Sequence, residues 1–507
     1  MRIKGTWHHA LWSGAEGIRH RRQGFGLAGL ALLLVAVIIN SPPLMAQRVL
    51  TLEDALETAM EKSPRIRHSR LSLERSEASL RAANARLKSR FSLSVTPIDY
   101  TNYKQFNDFF STWNRQETTQ SYGTFRIEQP IKWTDGTLSL INRFSWKDSY
   151  SEYSDETSET YSNDFYVQFQ QPVFTYNRTK MNLRNLELDL EGSQLAYALE
   201  KLSIEKLVLE RFYQIYETRM QVEISREELE NNEERTGISR NKVDAGIASL
   251  DELYQSELDL ANARSSLHNN IVTLENAMDM FKQLLGLDLE ETFEISTDIS
   301  YRETPVDLPM AVSHGLKHRA ELRQKQIAIE NARNSLIQSG TKNEFYGNIN
   351  LSYGTTGTDE AFNNLYDSPT KNQQIAISFE IPLWDWGEKK AEMRAAEASL
   401  EKNMLSLEEE KDNILISIRQ AYRNVENQVI QIDIAKQNVR RSELTYDINL
   451  EKYKNGDLSS YQLNEYQNQL SRARLSEISA LIKYKQFILD MKIQSLWDFE
   501  KNRSVIE

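Results

Sequence analysis

Two histidines have the spacing in this sequence that most resembles a metal site. His314 and His318 lie one helical turn apart, a separation at which two imidazoles can share a zinc ion. No third ligand is close by in the sequence, so two surface histidines are the favoured interpretation. A phosphate loop, a nucleophile elbow and a carboxylate pair with a pocket signature are also missing from the sequence. The sequence therefore predicts no enzyme, no metal site and no cofactor.

Two glycine turns carry the strongest signal. Residues 241–260 read "NKVDAGIASLDELYQSELDL" and residues 451–470 read "EKYKNGDLSSYQLNEYQNQL", which places Gly246 and Gly456 at matching positions 210 residues apart. Glycine readily takes the left-handed conformation that ends one helix and lets the next begin. Two matching turns predict an internally duplicated architecture.

The first 46 residues have the order of an export signal. Basic residues 19–22 precede the apolar run 26–39, and small residues lead to Ala46. This order predicts a signal peptide over residues 1–46, with a twin-arginine signal at Arg21 and Arg22 as the weaker alternative. No later segment approaches the ~20 apolar residues that a membrane helix needs.

The charge and cysteine content exclude several classes of protein. The 507-residue chain has a net charge of −12 and no cysteine, and removal of residues 1–46 leaves 56 basic and 72 acidic residues, a net charge of −16. An acidic chain is a poor nucleic-acid binder. Without cysteine, neither a disulfide scaffold nor an acylated lipoprotein anchor can form.

Long helices are predicted where proline is absent, over residues 173–304 and 383–507. Apolar residues recur there every seven positions, which keeps one seam facing a partner helix. At 1.5 Å per residue, segments 177–243 and 386–453 would each be roughly 100 Å long. The shorter segments 51–88, 248–286, 307–341 and 458–492 would each reach roughly 50 to 60 Å.

Strands are predicted between these helices. Segments 165–173 and 375–383 alternate apolar and polar residues at the same 210-residue offset, and 91–100 and 344–353 are their upstream partners. Each has about the length of a tilted transmembrane strand. The first half has an extra hairpin near residues 120–150, with a "TDG" turn at 134–136. It could enter the barrel, giving six strands per subunit, or extend outside the cell, and the first option is slightly favoured.

These features resemble the TolC-like outer-membrane efflux protein family. The matching segments are "TLEDALETA", "QQPVF", "EIPLW", "DAGIASLDEL" and "KNGDLSSYQL". The resemblance implies an α+β, mainly α fold, in which an internally duplicated long α-helical barrel continues a transmembrane β-barrel formed by a homotrimer with four strands per subunit. The predicted divisions are the signal peptide, a first repeat over 47–304, a second over 305–495 and a tail over 496–507.

The resemblance also implies functional positions. The two turns would dock a periplasmic membrane-fusion adaptor through Gly246, Ile247, Gly456 and Asp457, and the alternative is that these residues only reverse the chain. The closed periplasmic aperture would involve Asp251, Glu252, Tyr453, Gln462 and Glu465. Leu458 stands where an arginine would join the aperture lock, and Gln462 replaces an acid. Three copies of Glu465 could form a cation-favouring ring or could simply be solvated.

The predicted function is an outer-membrane exit duct, spanning into the periplasm, of a tripartite efflux pump or a type I secretion system. Its partners would be two further copies, the adaptor, an inner-membrane RND or ABC transporter, and outer-membrane lipid. Nucleic acid is not among the expected partners. The alternative is a periplasmic coiled-coil scaffold or adaptor without a pore. Drugs, metals and secreted polypeptides all stay open as cargo.

Overall fold

The computed structural model describes residues 48–296 and 301–505. The predicted signal peptide and the last two residues of the predicted tail lie outside these ranges. Arg48, Val49 and Thr292–Glu294 belong to a small unit, and the larger unit holds Leu50–Glu291 and the described residues from Ile295 onward. Within the described residues, no helix combines the length and the apolar character that crossing a bilayer requires.

Eight α-helices occur in the described residues, and most begin at a side chain that caps them. Thr51 forms a capping box with Asp54, while Asn177, Asp307 and Ser459 each accept a backbone N–H from the first turn. The helices are α1 (Leu52–Lys62), α2 (Pro64–Arg86), α3 (Arg178–Asp244), α4 (Leu250–Leu285), α5 (Leu308–His318), α6 (Ala320–Gly340), α7 (Glu388–Asn455) and α8 (Ser460–Ser495).

Two of the predicted short helices are each split in two. The segment predicted at 51–88 breaks at Ser63, because Pro64 has no N–H to continue the helix and restricts the residue before it. The segment predicted at 307–341 breaks at Arg319, which is extended although no proline follows. The Arg319 guanidinium donates to Gln494 Oε1 on α8 at 2.5 Å, which anchors the break. Both halves of the chain therefore have a broken helix at the corresponding place.

The long helices pack in a fixed order. Next to the glycine turns the neighbours run α4, α3, α8, α7, and farther from the turns they run α2, α3, α6, α7. A cluster of buried apolar side chains joins α5, α7 and α8, with Ile414, Ile418, Ile432 and Ile488 among its members. Each such side chain contributes about 1.5 to 3 kcal/mol when it is buried.

Six strands form one antiparallel sheet, and their spatial order is the same as their order along the chain. Their bounds are β2 (Arg90–Asn107), β3 (Thr112–Ile131), β4 (Gly136–Ser151), β5 (Glu156–Val173), β7 (Tyr346–Asp359) and β8 (Thr370–Glu380). Each predicted strand segment falls mainly within one of these strands. The predicted extra hairpin is β3–β4, and it lies inside the sheet between β2 and β5. The structure therefore places the hairpin inside a single six-stranded sheet.

The remaining strands are short. β1 (Arg48–Leu50) and β6 (Phe293–Ile295) form a two-stranded sheet of their own. In the predicted tail, β9 (Trp497–Asp498) pairs with β10 (Arg503–Ser504).

Candidate functional site

The first glycine turn joins α3 to α4. Gly246 has a φ of +74°, and its N–H donates to the Val243 carbonyl at 2.9 Å. The Ile247 N–H reaches back to the Lys242 carbonyl at 2.8 Å, which closes the end of α3. Ser249 then starts α4 by accepting the Glu252 N–H at 3.4 Å. A side chain at Gly246 would meet open space, so the backbone angle is what requires glycine there.

The second turn repeats this arrangement between α7 and α8. Gly456 has a φ of +89°, and the Asp457 N–H donates to the Lys452 carbonyl at 2.9 Å. The Gln462 side chain accepts the Ser459 N–H at 3.2 Å, and the Ser459 hydroxyl accepts the Gln462 N–H at 3.3 Å. Gln462, predicted at the aperture, therefore completes the capping box of α8.

All four residues predicted to dock an adaptor are exposed in the structure. Gly246, Ile247, Gly456 and Asp457 lie at the outer ends of the two turns, and the Ile247 side chain is 75% exposed. An apolar side chain this exposed at a helix turn is available for contact with another molecule.

The predicted aperture residues differ in their exposure to solvent. Asp251, Gln462 and Glu465 are exposed, Glu252 is partly exposed, and Tyr453 is completely buried. Burial raises the pKa of the Tyr453 hydroxyl.

Tyr453 connects α7 to α3. Its hydroxyl lies 3.1 Å from the Ser239 hydroxyl. The Lys242 ammonium donates to the Tyr453 carbonyl at 2.9 Å and sits 4.1 Å from the centre of its ring. The tyrosine therefore holds the end of α7 against α3 with both its side chain and its backbone.

A buried ion pair close to the turns was missed by the sequence analysis. Arg235 on α3 and Asp259 on α4 have side chains only 5% and 9% exposed, with Nη2 and Oδ2 3.6 Å apart. Asn464 on α8 accepts from Arg235 Nη2 at 3.0 Å and donates to Asp259 Oδ2 at 3.1 Å. Burial lowers the pKa of the Arg235 guanidinium, and its Nε has no hydrogen-bond partner among the residues that the structure describes.

Buried polar residues lie on all four helices in the part nearer the glycine turns. They are Ser225, Asn232, Thr236 and Ser239 on α3, Ser256 on α4, Ser442 and Asn449 on α7, and Ser460, Gln467 and Ser471 on α8. Several recur every seven residues, as in Ser225, Asn232 and Ser239. Searching the seven-residue repeats for polar as well as apolar residues would have found them. Near the turns, the helices are thus held together mainly by polar contacts.

The histidine pair makes local contacts. His314 Nδ1 lies 2.9 Å from the Ser495 carbonyl oxygen, and the rings of His314 and His318 are 4.5 Å apart. Burial lowers the pKa of His318. Among the described residues, no group of three potential metal ligands includes them.

Comparison with known proteins shows which family the chain resembles. Residues 311–487 match the family model of the outer membrane efflux proteins. The chain is 21% identical over 276 residues to "Toxin and drug export protein A" of Aggregatibacter actinomycetemcomitans, a match that covers 54% of this chain and 56% of that relative. The matched region thus spans little more than half the length of the curated relative.

Solved structures share the fold. The CmeC outer membrane channel of Campylobacter jejuni superposes with a TM-score of 0.67 at 14% identity, covering 90% of this chain and 87% of CmeC. The outer membrane protein VceC of Vibrio cholerae gives 0.64 at 13% identity, covering 88% and 95%.

The predicted fold class and the resemblance to TolC-like outer-membrane efflux proteins are confirmed by these matches. In sequence over residues 311–487, and in its fold, the chain is similar to that family. Its members and the solved neighbours are transport channels of the outer membrane, in agreement with the predicted location.

Proposed function

We propose that this chain is one subunit of a homotrimeric outer-membrane exit duct that carries cargo from an inner-membrane transporter and its periplasmic adaptor to the outside. The observation that carries the proposal is a pair of matching apolar surfaces on the two edge helices of the row α4, α3, α8, α7. The family match and the channel fold support the same function.

The two surfaces occur at equal distances from the glycine turns. Tyr254 lies eight residues after Gly246, and Ile448 eight residues before Gly456. The same correspondence holds for Leu258 with Leu444 at 12 residues and for Val272 with Ile430 at 26 residues. All six side chains are between 43% and 63% exposed in the single chain. Contact between α4 of one subunit and α7 of the next would cover both surfaces.

In such a contact, one surface of a subunit binds a different surface of the next subunit. Repeating the contact from subunit to subunit closes a ring when the rotation between neighbours adds up to a full turn. The sheet can also join neighbouring subunits head to tail, because β2 and β8 are its two free edges. Three is the number of subunits that the family resemblance implies. The sheet has an apolar face, where Leu93 lies opposite Phe125, and a polar face, where Ser94 lies opposite Thr124. A scaffold without a pore would leave these two faces unexplained.

The exposed turns support the proposal that an adaptor docks there, with transport energy supplied by the inner-membrane partner. An RND and an ABC transporter are both compatible with this arrangement. The name of the curated relative favours toxins and drugs as the cargo classes to test first.

Cysteine cross-linking tests the ring, because the chain has no native cysteine. We expect the double variant Leu258→Cys, Leu444→Cys to form a covalent trimer on oxidation. The matched control is Leu258→Cys, Ile416→Cys, whose two positions differ in level by about 42 Å at 1.5 Å per residue. A monomer in detergent, or equal cross-linking of both pairs, would contradict the proposal. Loss of cargo export on deletion of the protein, restored by its return, tests the transport role.

A further inference from the structure

The β3–β4 hairpin is fully integrated into the sheet. β3 pairs with β2 from Arg90↔Glu128 to Asn107↔Thr112, and β4 pairs with β5 from Thr137↔Gln170 to Ser151↔Glu156. The two strands of the hairpin pair with each other from Gln116↔Ser151 to Ile131↔Gly136. Backbone groups on both sides of the hairpin are therefore satisfied within the sheet, so the hairpin is not an appendage.

The two faces of the hairpin match the faces of its neighbours. On β3, Phe125 lies opposite Leu93 of β2, while Thr124 lies opposite Ser94. One face bears Phe91, Leu93, Phe125, Ile127, Leu138, Leu140, Phe165 and Val167; the other bears Ser92, Thr124, Arg126, Arg143, Asp164 and Gln168. A barrel wall in a membrane needs an apolar face toward lipid and a polar face toward water.

The polar face of the hairpin carries charge. The Arg143 guanidinium lies 4.4 Å from the centre of the Tyr122 ring, and Arg126 Nη1 lies 3.4 Å from Glu128 Oε1. Charged groups on this face would be costly against lipid and are stable against water. The face that holds them is therefore the face toward the water path.

We propose that the β3–β4 hairpin forms part of the wall of the water path, so that three subunits of six strands each close an 18-stranded membrane barrel. This inference rests on the trimer of the proposed function. Because barrel diameter grows roughly linearly with strand number, such a barrel is about half again as wide as one with four strands per subunit. Barrels of 16 to 18 strands leave an open aqueous channel. The membrane segment then admits bulky hydrated cargo, and Arg126 and Arg143 are among the side chains that the cargo passes.

The free edges of the sheet are suited to this closure. Phe91, Leu93 and Val95 on β2 are exposed on the apolar face, as are Ile375, Ile377 and Phe379 on β8. An antiparallel pairing with Ile377 opposite Leu93 aligns the two triplets in one apolar band. β2 also extends farther than β8, with 18 residues against 11.

Single-cysteine labelling with a membrane-impermeant maleimide tests the placement of the hairpin in outer membranes. On β3 the matched variants are Thr124→Cys on the polar face and Phe125→Cys on the apolar face. On β5, outside the hairpin, they are Gln168→Cys and Val167→Cys. We expect Thr124→Cys and Gln168→Cys to react at least tenfold faster than their partners, since lipid covers the apolar face.

The β3 and β5 pairs of variants distinguish failure of the 18-stranded barrel from failure of the exit duct. If the β5 pair shows the contrast and the β3 pair reacts equally on both faces, the hairpin is not in the wall and the 18-stranded barrel is wrong, while the exit duct stands. If the protein cross-links as a trimer but neither pair differs in labelling rate between its two faces, the sheet encloses no water path. Both proposals then fail. Trimer formation by each variant, checked on a gel, ensures that a misfolded variant is not scored.

Discussion

Arg235 Nη2 lies 3.6 Å from Asp259 Oδ2, and this ion pair is buried between α3 and α4 close to the glycine turns. Asn464 of α8 bonds to both side chains, so one contact joins three helices. A buried pair of this kind adds little net stability over an apolar one, but its loss leaves a charge without compensation.

We therefore expect Asp259→Asn to lower the free energy of unfolding by about 3 to 5 kcal/mol, because Arg235 keeps its buried charge. Chemical denaturation of the purified protein would measure the loss. The matched control is Glu257→Gln, since Arg240 and Glu257 also join α3 to α4 but have side chains 61% and 42% exposed. Glu257→Gln is expected to lower the free energy of unfolding by about 1 kcal/mol or less. Similar losses for both variants would show that the buried pair has no special role.

Replacing Gly246 and Gly456 together by valine is expected to abolish export and leave the trimer nearly intact. Left-handed backbone costs a non-glycine residue about 1 to 2 kcal/mol, and more for a β-branched one, so both turns would distort. Gly237→Ala in the interior of α3 is the control, because it meets open space and is expected to raise stability by about 0.5 to 1 kcal/mol. An export assay measures the loss of export, and cross-linking measures whether the trimer persists. Unchanged export by the double variant would rule out the proposed docking role of the turns.

Tyr453→Phe is expected to lower the free energy of unfolding by about 1 to 2 kcal/mol, because it leaves the buried Ser239 hydroxyl without this partner. The Lys242 contacts with the ring and the backbone carbonyl would persist in the variant. We also expect the variant to conduct more ions in planar bilayers, because the link holds α7 against α3 beside the predicted aperture. Tyr461→Phe, at a residue 65% exposed, is the control and should change neither property. Equal effects at the two tyrosines would exclude a role for the Ser239 contact.

Alkaline pH provides a separate test. Burial raises the pKa of Tyr213 to about 12, whereas an exposed tyrosine in the unfolded chain ionises near 10. Between these values the unfolded chain releases the proton first, so stability that is complete below pH 10 falls as the pH rises toward 12. We expect Tyr213→Phe to reduce this alkaline loss in pH-dependent denaturation curves while leaving the curves below pH 9 parallel. An unchanged alkaline slope would show that Tyr213 does not control it.

Much of the fold could be predicted because it rests on periodic patterns. The long proline-free segments and the repeat at Gly246 and Gly456 led to α3, α4, α7 and α8 with bounds within a few residues. The break at Ser63 was missed although Pro64 signals it, because the apolar pattern continues across it. The break at Arg319 depends on a contact with Gln494 that is distant in sequence.

The candidate site was only partly predictable. Glycine at a turn is a local requirement, so Gly246 and Gly456 could be located from sequence alone. Arg235, Asp259 and Asn464 come from three helices, and their pairing depends on how those helices pack. Charged residues in polar helices are usually solvated, so nothing local marked these two as buried.

The two unpaired edges of the six-stranded sheet have a consequence for biogenesis. A lone subunit presents the free backbone of β2 and β8 beside exposed apolar side chains, a combination that recruits other chains into aggregates. In the proposed trimer, we therefore expect folding and association to be nearly simultaneous, with periplasmic chaperones shielding the strand edges until the ring closes.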